Sequence, residues 1–381
     1  MRNSVARCRS CRAPLLPPPV LQLHGMPSSA QGFPDAATLA QDHPHDLDLL
    51  QCPACGLVQI AGKPVPYYRE VIRAAAYSPA MKAFRQTQFA DWIERYALHG
   101  KPLLEIGCGR GEYLSLLREV GFDAHGVEWS RANLAACRAA GLPVRRSFPG
   151  RRGFGPEAPL PYTAFACFNF MEHWPDPVGT LRAIGERLQD NGLGFVEVPN
   201  FDMILDKALY AEFIADHLSY FTLDTLTCTL RLSGFEVVEA RAIWHDYILS
   251  AVVRKRPVMN PTRLTKRQSE LQRELGEFVA RYPSGTVAVW GAGHQALAAI
   301  ALSGIAPGLC YVIDSAPFKQ GKFTPATHLP IVGPEHLHTA PVSAIIVMAA
   351  AYSDEVAATI RANYSPEIDV CILRDRCLEP A

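Results

Sequence analysis

The residues best suited to chemistry form a glycine-rich turn flanked by two acidic side chains. The apolar run Leu103 to Ile106 includes Glu105 and leads directly into Gly107-Cys108-Gly109-Arg110-Gly111. Glycine lacks a Cβ, so such a turn lets the backbone approach a ligand closely. Glu128 ends a second run, Ala124 to Val127, where its carboxylate is placed to accept hydrogen bonds from both hydroxyls of a ribose. We therefore predict a ligand with a nucleoside part at this turn.

This order of strand, glycine turn, helix and second acid resembles the S-adenosylmethionine (SAM) site of class I methyltransferases. The alternative is a tight strand-to-helix turn in another kind of α/β domain. Trp129 directly follows the second acid, and it either stacks on adenine or packs only within the protein. The other residues that the resemblance places around SAM are Glu105, Gly107, Gly109, Gly111, Glu128, Asn169 and Phe170.

Composition and charge exclude several classes of function. The 381 residues include 37 Lys and Arg against 37 Asp and Glu, so no positive excess favours a nucleic acid or a membrane surface as partner. No apolar run approaches the ~18 residues of a membrane span, and the Arg- and Cys-containing N-terminus lacks the apolar core of a signal peptide. We therefore expect a cytoplasmic protein with reduced cysteines and two or three domains.

Two CxxC pairs near the N-terminus have the spacing of a structural zinc site. Each pair places two thiolates on one tight turn, so together the pairs supply four ligands to a tetrahedral Zn²⁺ and leave no open position for catalysis. The alternative is two unrelated surface pairs. The four cysteines are Cys8, Cys11, Cys52 and Cys55. The histidines between the pairs, which either replace one cysteine or are solvated, are His24, His43 and His45.

Strand and helix signals alternate from Lys101 to Arg256 and again from Val287, which predicts two α/β domains. The first is expected to have the seven-stranded, Rossmann-like sheet of a class I methyltransferase, and the second to be a smaller Rossmann-like domain. The predicted parts are a zinc-binding module (1–66), a helical connector (67–98), a methyltransferase domain (99–256) and a C-terminal substrate- and nucleotide-binding domain (257–381).

A second glycine turn begins the C-terminal domain. The strand Val287 to Trp290 leads into Gly291-Ala292-Gly293-His294, and Asp314 closes the next strand. By itself the pattern indicates an NAD site, but the domain has the size of half a dinucleotide fold. A helix N-terminus after such a turn also binds the pyrophosphate of a nucleotide sugar. Lys319 and Lys322 either add positive charge there or are solvated.

The combination of parts resembles the three-part sugar C-methyltransferases, which act on nucleotide-linked ketosugars. The resemblance covers nearly the whole chain and depends on the order of several short motifs. These motifs are Cys52 to Gln59, Glu172-His173, Glu197 to Asn200, Asp216 to Phe221, Trp290 to Gly293, and Lys319 to Pro325.

The resemblance implies methyl transfer to a carbon next to a ketone. A base must first remove a proton from that carbon, and the resulting enolate oxygen needs stabilisation. The family's base falls on His217, with Asp216 as its carboxylate neighbour and His173 as a second candidate. Tyr220 is a further candidate catalytic residue, although His217 alternatively only packs against it.

Departures from the family motifs lie on the acceptor side. Ile214 stands where the family has a tyrosine, and His245-Asp246-Tyr247 replaces its His-Gly-Gly stretch. We therefore expect a divergent subfamily with a different acceptor or different chemistry, in which the residues from His245 to Tyr247 replace lost groups. The candidate substrate-binding residues are Asn200, His245, Gly291, Gly293, His294, Lys319 and Lys322.

The function predicted first is SAM-dependent C-methylation of a nucleotide-linked deoxysugar. The alternatives are O- or N-methylation of a nucleotide-linked sugar or a related small molecule, and a non-catalytic binding protein that keeps the fold. A nucleic-acid methyltransferase is disfavoured because Asn169-Phe170-Met171-Glu172 replaces the Asn/Asp-Pro-Pro-aromatic motif of amino-directed base methylation.

Overall fold

The computed structural model describes residues 6–70, 77–150, 154, 161–375 and 377–381. The chain separates into two compact units, Met1–Pro257 and Val258–Ala381. Each unit has its own sheet and its own apolar core.

The first unit contains two sheets and the helices that pack on them. Its strands are β1 (Leu21–Met26), β2 (His45–Gln51), β3 (Val58–Ile60), β4 (Pro102–Ile106), β5 (Asp123–Glu128), β6 (Val144–Arg146), β7 (Tyr162–Phe168), β8 (Leu188–Pro199), β9 (Ser219–Tyr220), β10 (Phe235–Ile243) and β11 (Ile248–Lys255). Its helices are α1 (Pro79–Tyr96), α2 (Glu112–Glu119), α3 (Arg131–Ala139), α4 (Pro177–Gly185), α5 (Phe201–Asp206) and α6 (Leu223–Leu232).

The larger sheet has seven strands in the order β10-β11-β8-β7-β4-β5-β6, which confirms the predicted class I methyltransferase fold. The five strands from β8 to β6 are parallel, and β11 is antiparallel to both of its neighbours. Side chains alternate between the two faces of β7, and both faces are buried in apolar clusters. A parallel sheet covered on both faces favours near-continuous apolar strands, which explains why these runs were visible in the sequence.

The helix of the predicted connector begins later in the structure than the sequence indicates. The connector is helical only from Pro79, because Ser78 caps the helix by accepting from the Met81 N–H, and a residue before proline is disfavoured in helical conformation. Residues 67–70 form a turn instead, and 71–76 lie outside the described residues. Residues 190–192 lie within β8 at an irregularity opposite β7, with Asn191 at φ 60°.

The smaller sheet joins the N-terminal module to the methyltransferase domain. Its order is β1-β2-β3-β9, with antiparallel pairing throughout. Val58 pairs with Tyr220 and Gln59 pairs with Ser219, so the last strand comes from the chain just after His217. The predicted boundary at residue 66 therefore does not separate the module from its neighbour.

The second unit is a six-stranded sheet in the order β14-β13-β12-β15-β16-β17, parallel except for the last strand. Its strands are β12 (Val287–Trp290), β13 (Leu309–Ile313), β14 (Ile331–Val332), β15 (Ala344–Val347), β16 (Asp369–Leu373) and β17 (Leu378–Pro380). Its helices are α7 (Thr262–Val279), α8 (His294–Ser303) and α9 (Ser353–Asn363). Within the described parts of the chain, no helix is long and apolar enough to cross a membrane.

Candidate functional site

The glycine turn between β4 and α2 has the conformation that its sequence requires. Gly107, Gly109 and Gly111 adopt φ values of 69°, 57° and 90°, a region that residues with a Cβ rarely occupy. A Cβ added to Gly111 would lie 2.3 Å from Cδ1 of Leu142. The turn is therefore restricted to glycine by its backbone conformation and, at Gly111, also by close packing.

Glu128 lies at the end of β5, where its side chain contacts the glycine turn. Oε2 accepts from the Gly109 N–H at 2.9 Å, and Oε1 accepts from the N–H groups of Trp129 and Ser130 at 2.9 and 2.8 Å. Burial raises the pKa of the carboxyl, while these donors act in the opposite direction. The structure thus places the predicted ribose acid against the predicted ligand turn; its contact with a ribose stays a prediction.

Trp129 has cationic neighbours. The guanidinium carbons of Arg146 and Arg69 lie 4.4 and 5.1 Å from a ring centroid of the indole, and Nε of Arg146 donates to the Trp129 carbonyl at 3.0 Å. These contacts support the packing interpretation of this tryptophan. Stacking on adenine stays a prediction.

The ends of β7 and β8 open onto a cavity of about 360 Å³. Asn169 and Phe170 line it, as do His173, Asp216 and His217. Asn169 adopts φ 46°, and its buried Oδ1 has no hydrogen-bond partner within the described chain. The structure therefore brings two of the residues predicted around SAM and the predicted base candidates into one cavity.

The two candidate bases are in contact. The ring centroids of His173 and His217 lie 4.8 Å apart, and Nδ1 of His173 donates to the Asp216 carbonyl at 2.9 Å. This bond leaves the lone pair of His173 on Nε2. Burial lowers the pKa of His173, and burial together with His173 lowers the pKa of His217 to about 3. Both rings are therefore neutral, and able to accept a proton, at neutral pH.

The resemblance implied that the carboxylate of Asp216 orients the imidazole of His217. In the structure it does not. It accepts from the hydroxyl of Tyr67 and from the N–H of Ala30, both at 2.7 Å. Neighbouring residues in an irregular segment present their side chains in different directions, and here the carboxylate holds the N-terminal segment instead. The Tyr67 hydroxyl also accepts from the Gln31 N–H at 3.2 Å.

Sequence reasoning missed several cavity residues because they lie far from the motifs along the chain. Tyr67 is 149 residues from Asp216, and Ala30 is 186 residues from it. The adjacent tyrosines at 67 and 68 were the available signal for this wall. Glu172 was noted as part of a motif but given no role, although its side chain lines the cavity. Tyr247 also lines it, as part of the stretch expected to replace lost groups.

Three other predicted residues have structural roles and do not line this cavity. The Tyr220 hydroxyl donates to the Ile214 carbonyl and accepts from the Ile214 N–H. Asn200 caps α5 by accepting from the Asp202 N–H, and its amide donates to the Asp246 carbonyl. His245 is exposed in a turn with φ 58°, which directs the chain so that Tyr247 faces the cavity instead.

A buried ion pair lies near the cavity. Nη1 of Arg85 is 2.6 Å from Oε2 of Glu197, and both side chains are fully buried. Gln88 bridges them, since its amide donates to Glu197 and its carbonyl oxygen accepts from Arg85. The guanidinium also lies 4.9 Å from the ring centroid of Tyr113, which lines the cavity. The pair therefore fixes α1 against β8 beside the site.

The four predicted metal ligands come together in the N-terminal module. Their sulfur atoms all lie within 4.8 Å of one another, and the separations are 3.6 Å for Cys8–Cys55 and 3.5 Å for Cys11–Cys52. Four thiolates at ~2.3 Å from one zinc ion are ~3.8 Å apart, so the set fits tetrahedral Zn²⁺. The interspersed histidines do not belong to this group; His24 instead pairs with Asp46 at the surface.

The second unit has a cleft of about 310 Å³ at the ends of its parallel strands. Gly291, Gly293, His294 and Lys319 line it, but Lys322 lies in a different surface depression. Nζ of Lys319 is 2.7 Å from Oδ2 of Asp314, so its charge is already paired. A Cβ on Gly291 would lie 2.5 Å from the Met348 carbonyl oxygen, which explains the glycine there.

Comparison with known sequences agrees with this geometry. Residues 81–240 match the family described as a methyltransferase domain, and residues 261–367 match the C-methyltransferase C-terminal domain. The chain is a class I SAM-dependent methyltransferase. SAM fits the methyltransferase fold. The family matches support a C-methyltransferase.

Two curated relatives each match less than half of this chain. It is 27% identical to a ubiquinone biosynthesis O-methyltransferase of Aromatoleum aromaticum, over 39% of this chain and 70% of that protein. It is 24% identical to the protein of the same name from Azoarcus sp., over 42% of this chain and 74% of that protein. A SAM-dependent methyltransferase structure from Clostridium acetobutylicum is 11% identical with a TM-score of 0.37, covering 46% of this chain and 92% of that one.

Proposed function

We propose that this methyltransferase transfers a methyl group to a carbon next to the ketone of a nucleotide-linked deoxysugar. The observation that carries the proposal is the pair of neutral imidazoles, His173 and His217, in contact within the cavity that Asn169 and Phe170 also line. SAM supplies an electrophilic methyl group when bound. A C–H bond is not a nucleophile, so the chain must provide a base beside the methyl group.

His217 is the proposed base. Its ring is neutral because burial opposes its charge, and it has the neighbouring ring of His173 on one side. The Tyr67–Asp216 hydrogen bond fixes the segment that carries it. His173 is oriented through its Nδ1–H to the Asp216 carbonyl, which supports a positioning role or a second proton acceptor at Nε2.

The second unit supplies the proposed nucleotide site. The cleft beside the Gly291 turn meets the N-terminus of α8 at His294, where backbone N–H groups favour a phosphate. The match to the C-methyltransferase C-terminal domain supports this assignment. Lys319 is expected to exchange its ion pair with Asp314 for contacts with the phosphates. Lys322 lies in another depression and is not part of the proposed site.

The proposed zinc site is structural. Four cysteine ligands leave no open coordination position, and the cluster lies in the N-terminal module. We expect the metal to stabilise the two CxxC turns and the small sheet that follows them.

A second candidate function is methyl transfer to a hydroxyl oxygen. Two relatives are named as O-methyltransferases, and Ile214 removes the tyrosine that the sugar C-methyltransferases have at this position. Transfer to oxygen needs a base but no enolate. Exchange of the C–H proton next to the ketone therefore separates the two reactions, because only the transfer to carbon requires that proton to be removed.

The test uses thymidine and uridine diphosphate 4-keto-6-deoxyhexoses as probes. With labelled SAM, we expect label in the sugar, on carbon by NMR. With S-adenosylhomocysteine in D₂O, we expect deuterium to enter the carbon next to the ketone. Methylation of a hydroxyl without this exchange would instead establish the second candidate, and no transfer to any of these sugars would contradict the proposal.

A further inference from the structure

Glu172 is an acid placed where a carboxylate is unfavourable. It lies in the short turn Met171–His173 after β7, with its side chain 3% exposed. Oε2 has no hydrogen-bond partner among the described residues, and Oε1 lies 3.8 Å from Nε2 of His173, too far for a hydrogen bond. A buried carboxyl with one oxygen unpartnered costs least when it is neutral.

The surroundings of Glu172 offer it no compensating charge. Its titratable neighbours are His173 on the same turn, His217 on the facing segment, Cys167 on β7 and Tyr247 before β11. Both imidazoles are neutral because burial lowers their pKa values. Burial raises the pKa of Glu172 to about 8, although a hydrogen bond from the residue's own backbone N–H acts in the opposite direction. The carboxyl therefore holds a proton at neutral pH and has a hydrogen bond to donate.

Resting on the proposed function, we propose that Glu172 is a catalytic acid that donates a hydrogen bond, and then its proton, to the ketone oxygen while His217 takes the proton from the neighbouring carbon. Both side chains line the same cavity, and their candidate donor and acceptor atoms lie within 4.8 Å of each other. A small group between them can contact both. The acid supplies the stabilisation that Ile214 cannot.

The proton and electron inventory balances. The C–H electron pair becomes the C=C bond of an enol, and the carbonyl π pair moves to oxygen, which takes the proton of Glu172. His217 is then an imidazolium and Glu172 a carboxylate. When the enol carbon bonds to the methyl group, the methyl–sulfur bond breaks, the enol proton returns to Glu172, and His217 releases its proton to solvent.

The same geometry explains how a base with so low a pKa can act. In the resting cavity a charged His217 is unfavourable and so is a charged Glu172, because each is buried. Enolisation charges both at once with opposite signs at short range, so each stabilises the other. Proton transfer through the acceptor therefore avoids an isolated buried charge.

A divalent metal held by Glu172, His173 and His217 is the competing explanation of this cluster. Ligands at ~2.1 Å from one ion are ~3.4 Å apart, whereas Oε1 of Glu172 and Nε2 of His173 are 3.8 Å apart. The thiols of the cysteine cluster, at 3.5 and 3.6 Å in two pairs, are already at ligand spacing. Both groups nevertheless have their ligand atoms within 4.8 Å of one another, so cobalt titration decides between a metal site and a protonated acid.

The test compares Glu172→Gln, which keeps an N–H donor, with Glu172→Leu, which has none. The readout is deuterium exchange into the thymidine and uridine diphosphate 4-keto-6-deoxyhexoses, with S-adenosylhomocysteine bound. We expect Glu172→Leu to lose about 10²- to 10³-fold in exchange rate, as for removal of one oxyanion donor, and Glu172→Gln to recover part of the loss. The exposed Glu236→Gln is the matched control and should exchange like wild type.

Two readouts without an acceptor complete the test. Infrared spectra of the wild-type protein should show a protonated carboxyl band at pH 7 that disappears as the pH passes about 8 and is absent from Glu172→Gln. Cobalt bound to the cysteine cluster shows thiolate absorption bands. We expect cobalt titration of the wild type to show no further site without these bands that disappears in Glu172→Gln.

The outcomes separate the two proposals. A wild type that exchanges none of the ketosugars overturns the proposed function and this inference with it. A wild type that exchanges them while Glu172→Leu matches its rate overturns the inference alone, as would an absent carboxyl band or a Glu172-dependent cobalt site.

Discussion

Oε2 of Glu128 accepts a hydrogen bond from the backbone N–H of Gly109 at 2.9 Å. The acid at the end of β5 therefore also closes the glycine turn that follows β4. If Glu128 also binds the ribose of SAM as predicted, a change at this carboxylate is expected to affect the affinity for SAM and the stability of the turn together.

Glu128→Gln should weaken SAM binding by about 10- to 100-fold, because hydrogen bonds to a charged group contribute roughly 1.5–3 kcal/mol. Isothermal calorimetry with SAM measures the loss, and the melting temperature should also fall. Glu94→Gln on the exposed side of α1 is the control and should change neither quantity. Unchanged SAM affinity in Glu128→Gln would remove this residue from the cofactor site.

Gly111→Ala and Gly141→Ala form a matched pair of variants. Both glycines have positive φ, 90° and 68°, but an added Cβ at Gly141 meets nothing within 4 Å, whereas at Gly111 it lies 2.3 Å from Leu142. We expect Gly141→Ala to lower the free energy of unfolding by about 1–2 kcal/mol, and Gly111→Ala by about 1–3 kcal/mol more. Urea denaturation measures both, and equal losses would contradict the packing at Gly111.

Cys52→Ser should abolish zinc binding, because a tetrahedral thiolate site loses one of its four ligands. Elemental analysis of purified protein measures the metal. Cys228→Ser, at a cysteine outside the cluster, should keep the wild-type zinc content. Equal zinc in both variants, or none in the wild type, would contradict the metal site.

The pH dependence of stability should carry the signature of Glu172 and His217. Because the pKa of Glu172 is raised in the folded state, its contribution to the free energy of unfolding is complete below about pH 4.5 and is lost as the pH rises through about 8. The lowered pKa of His217 acts in the opposite sense, so stability rises between about 3 and 6.5. Above pH 6.5 only the fall due to Glu172 remains of these two contributions.

Glu172→Gln should therefore flatten the decline in unfolding free energy between pH 6.5 and 8, measured relative to wild type by urea denaturation. His217→Asn should change the slope below pH 6.5 and leave the upper window as it is in wild type. Identical upper-window slopes in wild type and Glu172→Gln would show that this carboxyl does not titrate there.

Features that depend on the spacing of neighbouring residues could be predicted from the sequence. The glycine turn, Glu128 and the CxxC pairs are short motifs whose geometry follows from a few neighbouring residues, and the seven strands follow from apolar runs. The wall that Tyr67 forms with Asp216 could not be predicted, because that contact depends on the packing of segments 149 residues apart. The orientation of Asp216 away from His217 depends on the same packing.

Resemblance at a position did not guarantee a role there. Asn200 ends a stretch that resembles a family motif, and His245 begins one that replaces a family motif, yet the first caps a helix and the second faces solvent. Cap preference was available from the sequence for Asn200, since Asn before a helix accepts from its first N–H groups. For His245, three successive residues in left-handed conformation, Trp244 to Asp246, decided the outcome. None of them is the glycine that would predict that conformation.

The pairing of β3 with β9 has a consequence for how such chains can be shortened or recombined. A fragment starting after residue 66 would leave Ser219 and Tyr220 as an unpaired edge strand beside His217. Such an edge can pair with strands of other chains. A chimera that exchanges the first 66 residues between relatives must likewise bring a compatible partner for that short strand. The smallest transplantable piece of this enzyme therefore includes both segments.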